Sequence, residues 1–445
     1  MDWRQEYQRK SGSPEEAVKR VKSGDCVEIA SAPTLESALG RRAGELKHVV
    51  IRGSSYRPEL TWFQAGHRGS FVAQSGALPM RRNDAPPDAS LIDYVPPYLS
   101  FLRNRIEEER ALEQGRIDVF MVTVSPPDSN GYCSFGTTLL ARKTQARRAK
   151  TVLAEVNELP AFSLRTGGDN HIHVSEIDCF VPHVSLPRPP AGRARARELT
   201  DVDRRIAQHV AALVRDGDTI ELGVGSIAEA LPAAGAFDGR GDLGLHLGTV
   251  WKGLIPLVRD GVFTGKRKTL HPGKVVASAL QLSDESGDDL QMAAFVDHNP
   301  MFELHAIDYV QDFTTIAAHD NYVAINSALA IDLSGQVTTE SIDSRTVGGP
   351  GGFPAFAMGA LMSRGGRSII VMSSTAADGK VSRIVPSFPA NTMVTLPRYF
   401  ADYVVTEYGV ASLMGKSQGE RFQQLIAIAH PDFRVALHKE AANLI

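Results

Sequence analysis

"VRDGDTIELGVGSIAEAL", residues 214 to 231, decides the fold, because a near copy of it stands earlier in the same chain as "VKSGDCVEIASAPTLESAL", residues 21 to 39. Each copy passes through Gly-Asp into four residues with alternating side chains, then a turn of small residues, then apolar positions at helical spacing. Strand, turn and helix in one order, written twice, predict two related α/β units. A second pair of stretches, "VFMVTVSPPDSNGYCSF" (119 to 135) and "ALAIDLSGQVTTE" (328 to 340), reads as strand, turn and strand in both halves. The segments 149 to 157 and 366 to 374 are apolar nearly throughout. Strands that are apolar on both faces belong in mostly parallel sheets covered by helices.

The expected architecture is therefore two duplicated α/β domains with mostly parallel sheets and a ligand cleft between them. The N-terminal domain spans residues 1 to 186, a Pro/Arg linker spans 187 to 199, and the C-terminal domain spans 200 to 445. A chain of 445 residues suits more than one core at roughly 150 residues per domain. Thr200 is placed to cap a helix over 201 to 215, in which Ile206, Val210, Leu213 and Val214 recur at helical spacing.

Composition narrows the classes. A net charge of −3 without a basic face argues against a nucleic-acid partner. The basic cluster "RPPAGRARARE" (188 to 198), rich in proline and small residues, reads as a solvated linker. No apolar run reaches the roughly 20 residues that span a bilayer, so no membrane association is expected. The N-terminal stretch resembles neither a secretory signal nor a transit peptide, which makes the cytoplasm the expected location. Cys26, Cys133 and Cys179 are far apart and odd in number, which suits small buried side chains in a reducing compartment.

Ligands of open α/β sheets lie beyond the carboxyl ends of strands, so the turns there carry the candidate chemistry. In "ELGVGS" (221 to 226), Gly223, Val224 and Gly225 link a strand to a helix, letting backbone amides approach an anion or a carbonyl oxygen. In "VGGPGGFPAFAMGA" (347 to 360), Gly348, Gly349, Gly351 and Gly352 surround Pro350 and precede an apolar helix opening at Phe353. So many glycines imply positive φ angles and room for a bulky group such as a pantetheine arm or a pyrophosphate. His171 and His173 share one face of "NHIHVSEID", with Glu176 and Asp178 nearby, but spacing supplies no third ligand, and no metal is expected. His246, in "DLGLHLGTVWKG" (242 to 253), reads either as a hydrogen-bonded strand histidine or as a base.

Several stretches together resemble the acetyl-CoA hydrolase/transferase family, which includes 4-hydroxybutyrate and butyryl-CoA:acetate CoA-transferases. Among them are "VSPPDSNGYCSFGTT" (124 to 138), "LGVGSIAEAL" (222 to 231), "DHNPMFELHAIDYV" (297 to 310), "INSALAIDLSGQV" (325 to 337) and "VVTEYGVASLMGKS" (404 to 417). The resemblance implies coenzyme A as acyl-CoA co-substrate, held by backbone donors at 223 to 225 and 348 to 352, with Phe353 also facing the cofactor. It also implies a homodimer or homotetramer. Family catalysis uses a glutamate in a stretch similar to "LGIHTEM", which forms an acyl anhydride and then a glutamyl-CoA thioester. Aligned without a gap, that position is Gly248, and the family's usual Gln and Asp in the glycine loop correspond to Phe353 and Ala355.

Glycine forms no anhydride, so the resemblance and its departure together point to an atypical acyl-CoA-dependent transferase. The expected reaction moves an acyl group from CoA directly to a small amine or hydroxyl acceptor. His246, Thr249 or His298 is the candidate proton acceptor, and the space left at Gly248, bordered by Leu247, is where the acceptor would enter. The alternatives are an acyl-CoA hydrolase or decarboxylase, a CoA-transferase using a substitute carboxylate, and a catalytically silent acyl-CoA binder.

Overall fold

A computed structural model of the chain describes residues 2 to 75, 91 to 95, 110, 115 to 184, 198 to 282, 287 to 342 and 345 to 444. Most of the expected linker lies outside these residues. The chain forms two compact units, one of Met1–Tyr98, Leu102–Ala194 and Ser278–Asp308, the other chiefly of Arg195–Ala277 and Tyr309–Ile445. Residues 278 to 308, expected in the C-terminal domain, thus pack with the N-terminal one.

In the first unit the strands are β1 (Cys26–Ala30), β2 (Val49–Arg52), β3 (Phe71–Ser75), β4 (Ile92–Tyr94), β5 (Val119–Val124), β6 (Thr151–Val156) and β7 (Cys179–Pro182). They form one parallel sheet in the order β7-β6-β5-β1-β2-β3-β4. Every residue of β5 is buried, as expected of a central strand covered on both faces. The first copy of the duplicated motif supplies the middle strand, β1, and the helix after it, α1 (Pro33–Gly40).

The second unit opens with α2 (Asp201–Leu213). Its Thr200 side chain accepts from the Asp203 amide, the cap the sequence predicts, and Asp203 reaches back to Thr200 to make the cap reciprocal. Its sheet contains β8 (Thr219–Leu222), β9 (Gly244–Val250), β10 (Tyr322–Ser327), β11 (Arg367–Val371), β12 (Tyr403–Thr406) and β13 (Gly409–Ser412). The order is β13-β12-β11-β10-β8-β9, with only the β12–β13 hairpin antiparallel among these pairs. The second motif copy supplies β8 and the short α3 (Ser226–Ala230).

The other proposed pair of repeats does not coincide in space. Val119–Val124 is a main-sheet strand, whereas Ala330–Asp332 folds into a small separate sheet against Val337–Thr338 and Ile384–Val385. Both stretches are apolar strands followed by a turn, so local pattern could not tell them apart. The three cysteines are free and buried. Among the described residues no helix is long and apolar enough to cross a membrane.

Candidate active site

Alternate residues of a strand share a face, so His246, Gly248 and Val250 look to one side of β9 and Leu247 and Thr249 to the other. The neighbours on the Gly248 side come from distant sequence. A Cβ built on Gly248 would lie 3.5 Å from Gln311 Nε2 and 3.9 Å from Phe356 Cε2, both ordinary van der Waals separations. The space at Gly248 is therefore bordered by Gln311 and Phe356; Leu247, expected to line it, points away. Thr249 points away with Leu247, so strand geometry removes its hydroxyl from that face. Sequence reasoning missed Gln311 and Phe356, which no local spacing relates to position 248.

His246 is fully buried. Its Nε2 lies 2.9 Å from the Val310 carbonyl oxygen and its Nδ1 3.3 Å from His319 Nε2, and its backbone oxygen accepts from the Tyr322 hydroxyl. Burial holds its pKa well below the usual imidazole range, with His319 and Lys268 pushing the same way. The ring is a packed core group, so the expectation that it serves as a base is corrected. His298, the remaining candidate, belongs to the other unit, where its amide donates to the Arg165 carbonyl.

The 223–225 turn is built as the sequence predicts. Gly225 takes a φ of 133° and caps α3 without a side chain, and Val224 is exposed. Close approach explains both glycines: a Cβ on Gly223 would collide with the Asn326 side chain, and one on Gly225 with Ser327. The Gly223 amide continues the ladder by donating to the Ile325 carbonyl (2.8 Å). Beneath the turn, Asn326 Nδ2 donates to Glu221 Oε2 at 2.7 Å. Glu221 is buried, and desolvation raises its pKa to about 8.

The corresponding turn of the first unit is already filled by the protein itself. Glu155, fully buried, accepts from the Thr34 amide (2.9 Å), the Thr34 hydroxyl (2.8 Å) and the Leu35 amide (3.3 Å) at the start of α1, and also contacts His183. An internal carboxylate thus occupies the anion position at that helix start, whereas at the 223–225 turn it is the exposed Glu229 carboxylate that accepts from the Gly225 amide, at 3.2 Å.

The second glycine loop leads into α4 (Phe353–Met362). Gly351 is exposed with a φ of 57°, but Gly352, the N-cap, has a φ of −88°. The expectation of positive φ across the loop holds at Gly351 alone and fails at Gly348, Gly349 and Gly352; a Cβ on Gly352 would instead crowd the Gln311 amide. Gly348 is buried and Gly349 partly so. Phe353 was expected to face the ligand, but it packs with Ile331, Leu333 and Met372 in the core, and Ala355 is equally buried. Apolar residues at those two positions belong to the core. In the first unit, His173 caps a 3₁₀ turn whose third residue, Glu176, accepts the His173 amide, so both are engaged locally.

Comparison with known proteins accounts for this architecture. Residues 85–189 match the acetyl-CoA hydrolase/transferase N-terminal domain and residues 289–441 the C-terminal domain of the same name. The chain is 37% identical over 455 aligned residues to 4-hydroxybutyrate coenzyme A transferase of Clostridium kluyveri, covering 99% of both chains. It is 30% identical to butyryl-CoA:acetate CoA-transferase of Anaerostipes caccae, over 99% of this chain and 98% of that one. The crystal structure of RipA from Yersinia pestis superimposes with a TM-score of 0.85 at 33% identity, over 100% of this chain and 99% of that one.

Proposed function

This chain belongs to the acetyl-CoA hydrolase/transferase family, and from that premise we propose that it transfers an acyl group from CoA directly to a small amine or hydroxyl acceptor, with no glutamyl-CoA intermediate. Transfer chemistry on acyl-CoA is the activity its relatives' names carry.

One observation carries it: Gly248 occupies a strand without needing to be glycine. No positive φ requires it and no neighbour excludes a Cβ, whereas Gly223 and Gly352 are both forced by close contacts. A strand glycine with no local reason destabilises the sheet by about 0.5–1 kcal/mol, so the space it leaves calls for a functional explanation. In the direct route the acceptor nitrogen or oxygen attacks the thioester carbon and the C–S bond breaks. The acceptor's proton passes to the departing thiolate, giving amide or ester plus free CoA. The Gly223 and Gly225 amides being bonded to Ile325 and Glu229, the Val224 amide and backbone donors of the 348–352 loop stabilise the oxyanion, an effect typically worth about 10²- to 10³-fold per donor. Proximity of two bound substrates supplies the rest.

The test is incubation with a panel of acyl-CoAs, with and without amines and alcohols, following CoA release and product mass. Release that depends on the acceptor, with an acylated product, is expected. Release of free acid or carbon dioxide without an acceptor would replace this proposal by hydrolysis or decarboxylation. A glutamyl-CoA adduct detected by mass spectrometry would establish a substitute carboxylate and end it, and ligand binding with no turnover would leave a silent binder.

A further inference from the structure

The 223–225 turn stands on a buried polar pair that no resemblance or relative assigns. β8 and β10 run in register, with Glu221 paired to Ala324 and Leu222 to Ile325, and the Gly223 amide carries the ladder one step further. Paired residues of parallel strands share a face, so Glu221 and Ala324 form one row and Gly223 and Asn326 the next. Asn326 bridges the rows: its Nδ2 donates down to Glu221 Oε2 at 2.7 Å, while its oxygen lies against Gly223 so closely that no side chain fits there. Both side chains are buried.

We propose that Glu221 and Asn326 are positioning residues for the acyl-CoA site, the Glu221 carboxyl in its neutral form orienting the Asn326 amide that shapes the Gly223–Gly225 turn. The inference rests on the proposal that this turn contacts acyl-CoA. Glu221 touches no ligand; it acts through Asn326.

The groups facing Glu221 show why its charge state matters. Its interactions are with Asn326, the Ile325 backbone and Tyr322, none of them cationic. On β9, His246 is held neutral by burial. From α4, the neighbouring face is apolar, with Phe356 and Ala360 packing onto Tyr322 and Ala324. At the far end of the turn Glu229 is exposed and accepts from the Gly225 amide at 3.2 Å. An ionised Glu221 would therefore be a buried charge with no counter-ion, which a fold tolerates only by admitting water or moving its neighbours. The first neighbour to move is Asn326, and Gly223 moves with it. Burial places that ionisation near pH 8, so the neutral form dominates below this value.

The experiment is calorimetric titration of the full-length protein with a non-hydrolysable thioether analogue of acetyl-CoA, at about pH 7 and about pH 9.5. If only the form with neutral Glu221 binds, a group ionising near 8 weakens wild-type affinity about thirtyfold between these values. In Glu221→Gln, whose side chain is neutral throughout, the ratio is expected to fall below about threefold. Asn326→Ala should lower affinity at about pH 7 and collapse the ratio as well, since the link to the turn is cut. A flat wild-type ratio, or a Glu221→Gln protein with an unchanged alkaline loss, overturns the positioning role while leaving acyl-CoA binding intact. Absence of binding even at about pH 7 overturns the acyl-CoA assignment and this inference with it. Should Glu221→Gln fail to fold, the wild-type ratio still decides, together with the infrared carbonyl band of a protonated carboxyl, expected at neutral pH and lost at alkaline pH.

Discussion

The side-chain nitrogen of Gln311 stands 3.5 Å from the point a Cβ on Gly248 would occupy, an ordinary contact distance, whereas a Cβ on Gly352 would lie so close to the same nitrogen as to force it to shift. Two glycines beside one amide thus have different reasons to be glycine. The difference gives a stability contrast. Gly248→Ala should leave thermal stability unchanged or raise it by up to about 1 kcal/mol, because alanine restricts the unfolded chain and fits the strand. Gly352→Ala should lower it by about 1–3 kcal/mol through overpacking against Gln311 and Phe356. Urea denaturation of the two proteins measures the difference, and equal losses would contradict the geometry.

Gly248→Glu is expected to fold, since the first atom of the new side chain meets no obstacle. Under the proposed function it should abolish acceptor-dependent acylation by filling the acceptor's space. It should also introduce exchange of CoA between carboxylates, with a covalent adduct visible by mass spectrometry. A variant that folds, binds acyl-CoA and keeps unaltered acylation would show that position 248 is not where the acceptor enters.

A buried ion pair anchors the second unit. Arg367 contacts Asp218 and donates to the Leu213 carbonyl at 2.9 and 2.7 Å from Nε and Nη2, and to the Gly365 carbonyl at 3.1 Å. Both side chains are almost completely buried. Burial raises the Asp218 pKa in spite of the opposing pull of the Arg215 amide and Arg367. Arg367→Met would leave that carboxylate with the Arg215 amide but without its counter-ion and would take both guanidinium donors from the Leu213 carbonyl, at a cost of about 3–5 kcal/mol. Chemical denaturation should show it, and a loss under about 1 kcal/mol would mean that water replaces the guanidinium.

Glu155 has the equivalent part in the first unit. Glu155→Ala removes the acceptor for two backbone amides and a hydroxyl at the start of α1 and should cost about 3 kcal/mol. Glu155→Gln, which keeps one carbonyl oxygen, should lose less. Equal melting temperatures for the two variants would show that the carboxylate's charge, and not its hydrogen bonding, holds the turn.

Stability should pass through a maximum near pH 6.5 as far as His246, His319 and Glu221 are concerned. Burial depresses His319 from 6.5 to about 3 and His246 in the same direction. Below pH 6.5 the unfolded chain therefore binds two protons that the folded chain refuses, and stability falls on acidification. Glu221 is raised from 4.5 to about 8, so between those values the folded chain holds a proton the unfolded chain has shed, and stability falls as pH rises. Each group contributes a slope of about 1.4 kcal/mol per pH unit within its window. Between 4.5 and 6.5 two histidines outweigh one glutamate, and above 6.5 Glu221 acts alone. His319→Gln should flatten the acid side to near zero slope down to 4.5 in denaturation curves, and an undiminished slope would assign that limb to other groups.

What could be foreseen from the chain alone was whatever short-range pattern encodes. Thr200 declares a helix start because a cap bonds only to a residue three further on. The strand-turn-helix unit at 214 to 231 was legible for the same reason, and the resemblance located Gly248. The histidine in β9 was not assignable, because whether an imidazole faces solvent or Val310 depends on what covers the strand. Phe353 was misplaced for a related reason: a helix after a glycine loop shows which residues are apolar but not which of them turn inward.

Sequence by itself determined the class of fold, the order of its elements and the duplicated turn, since periodicity, capping and turn chemistry act over a few residues. Tertiary structure decided which groups meet there. Gln311 and Phe356 border Gly248, Asn326 presses on Gly223, Glu155 plugs the first turn, and the face of β9 that carries Gly248 turns Thr249 away. The physical reason is that these partners are joined by sheet register and helix packing across long stretches of chain, and only the folded backbone fixes those relations.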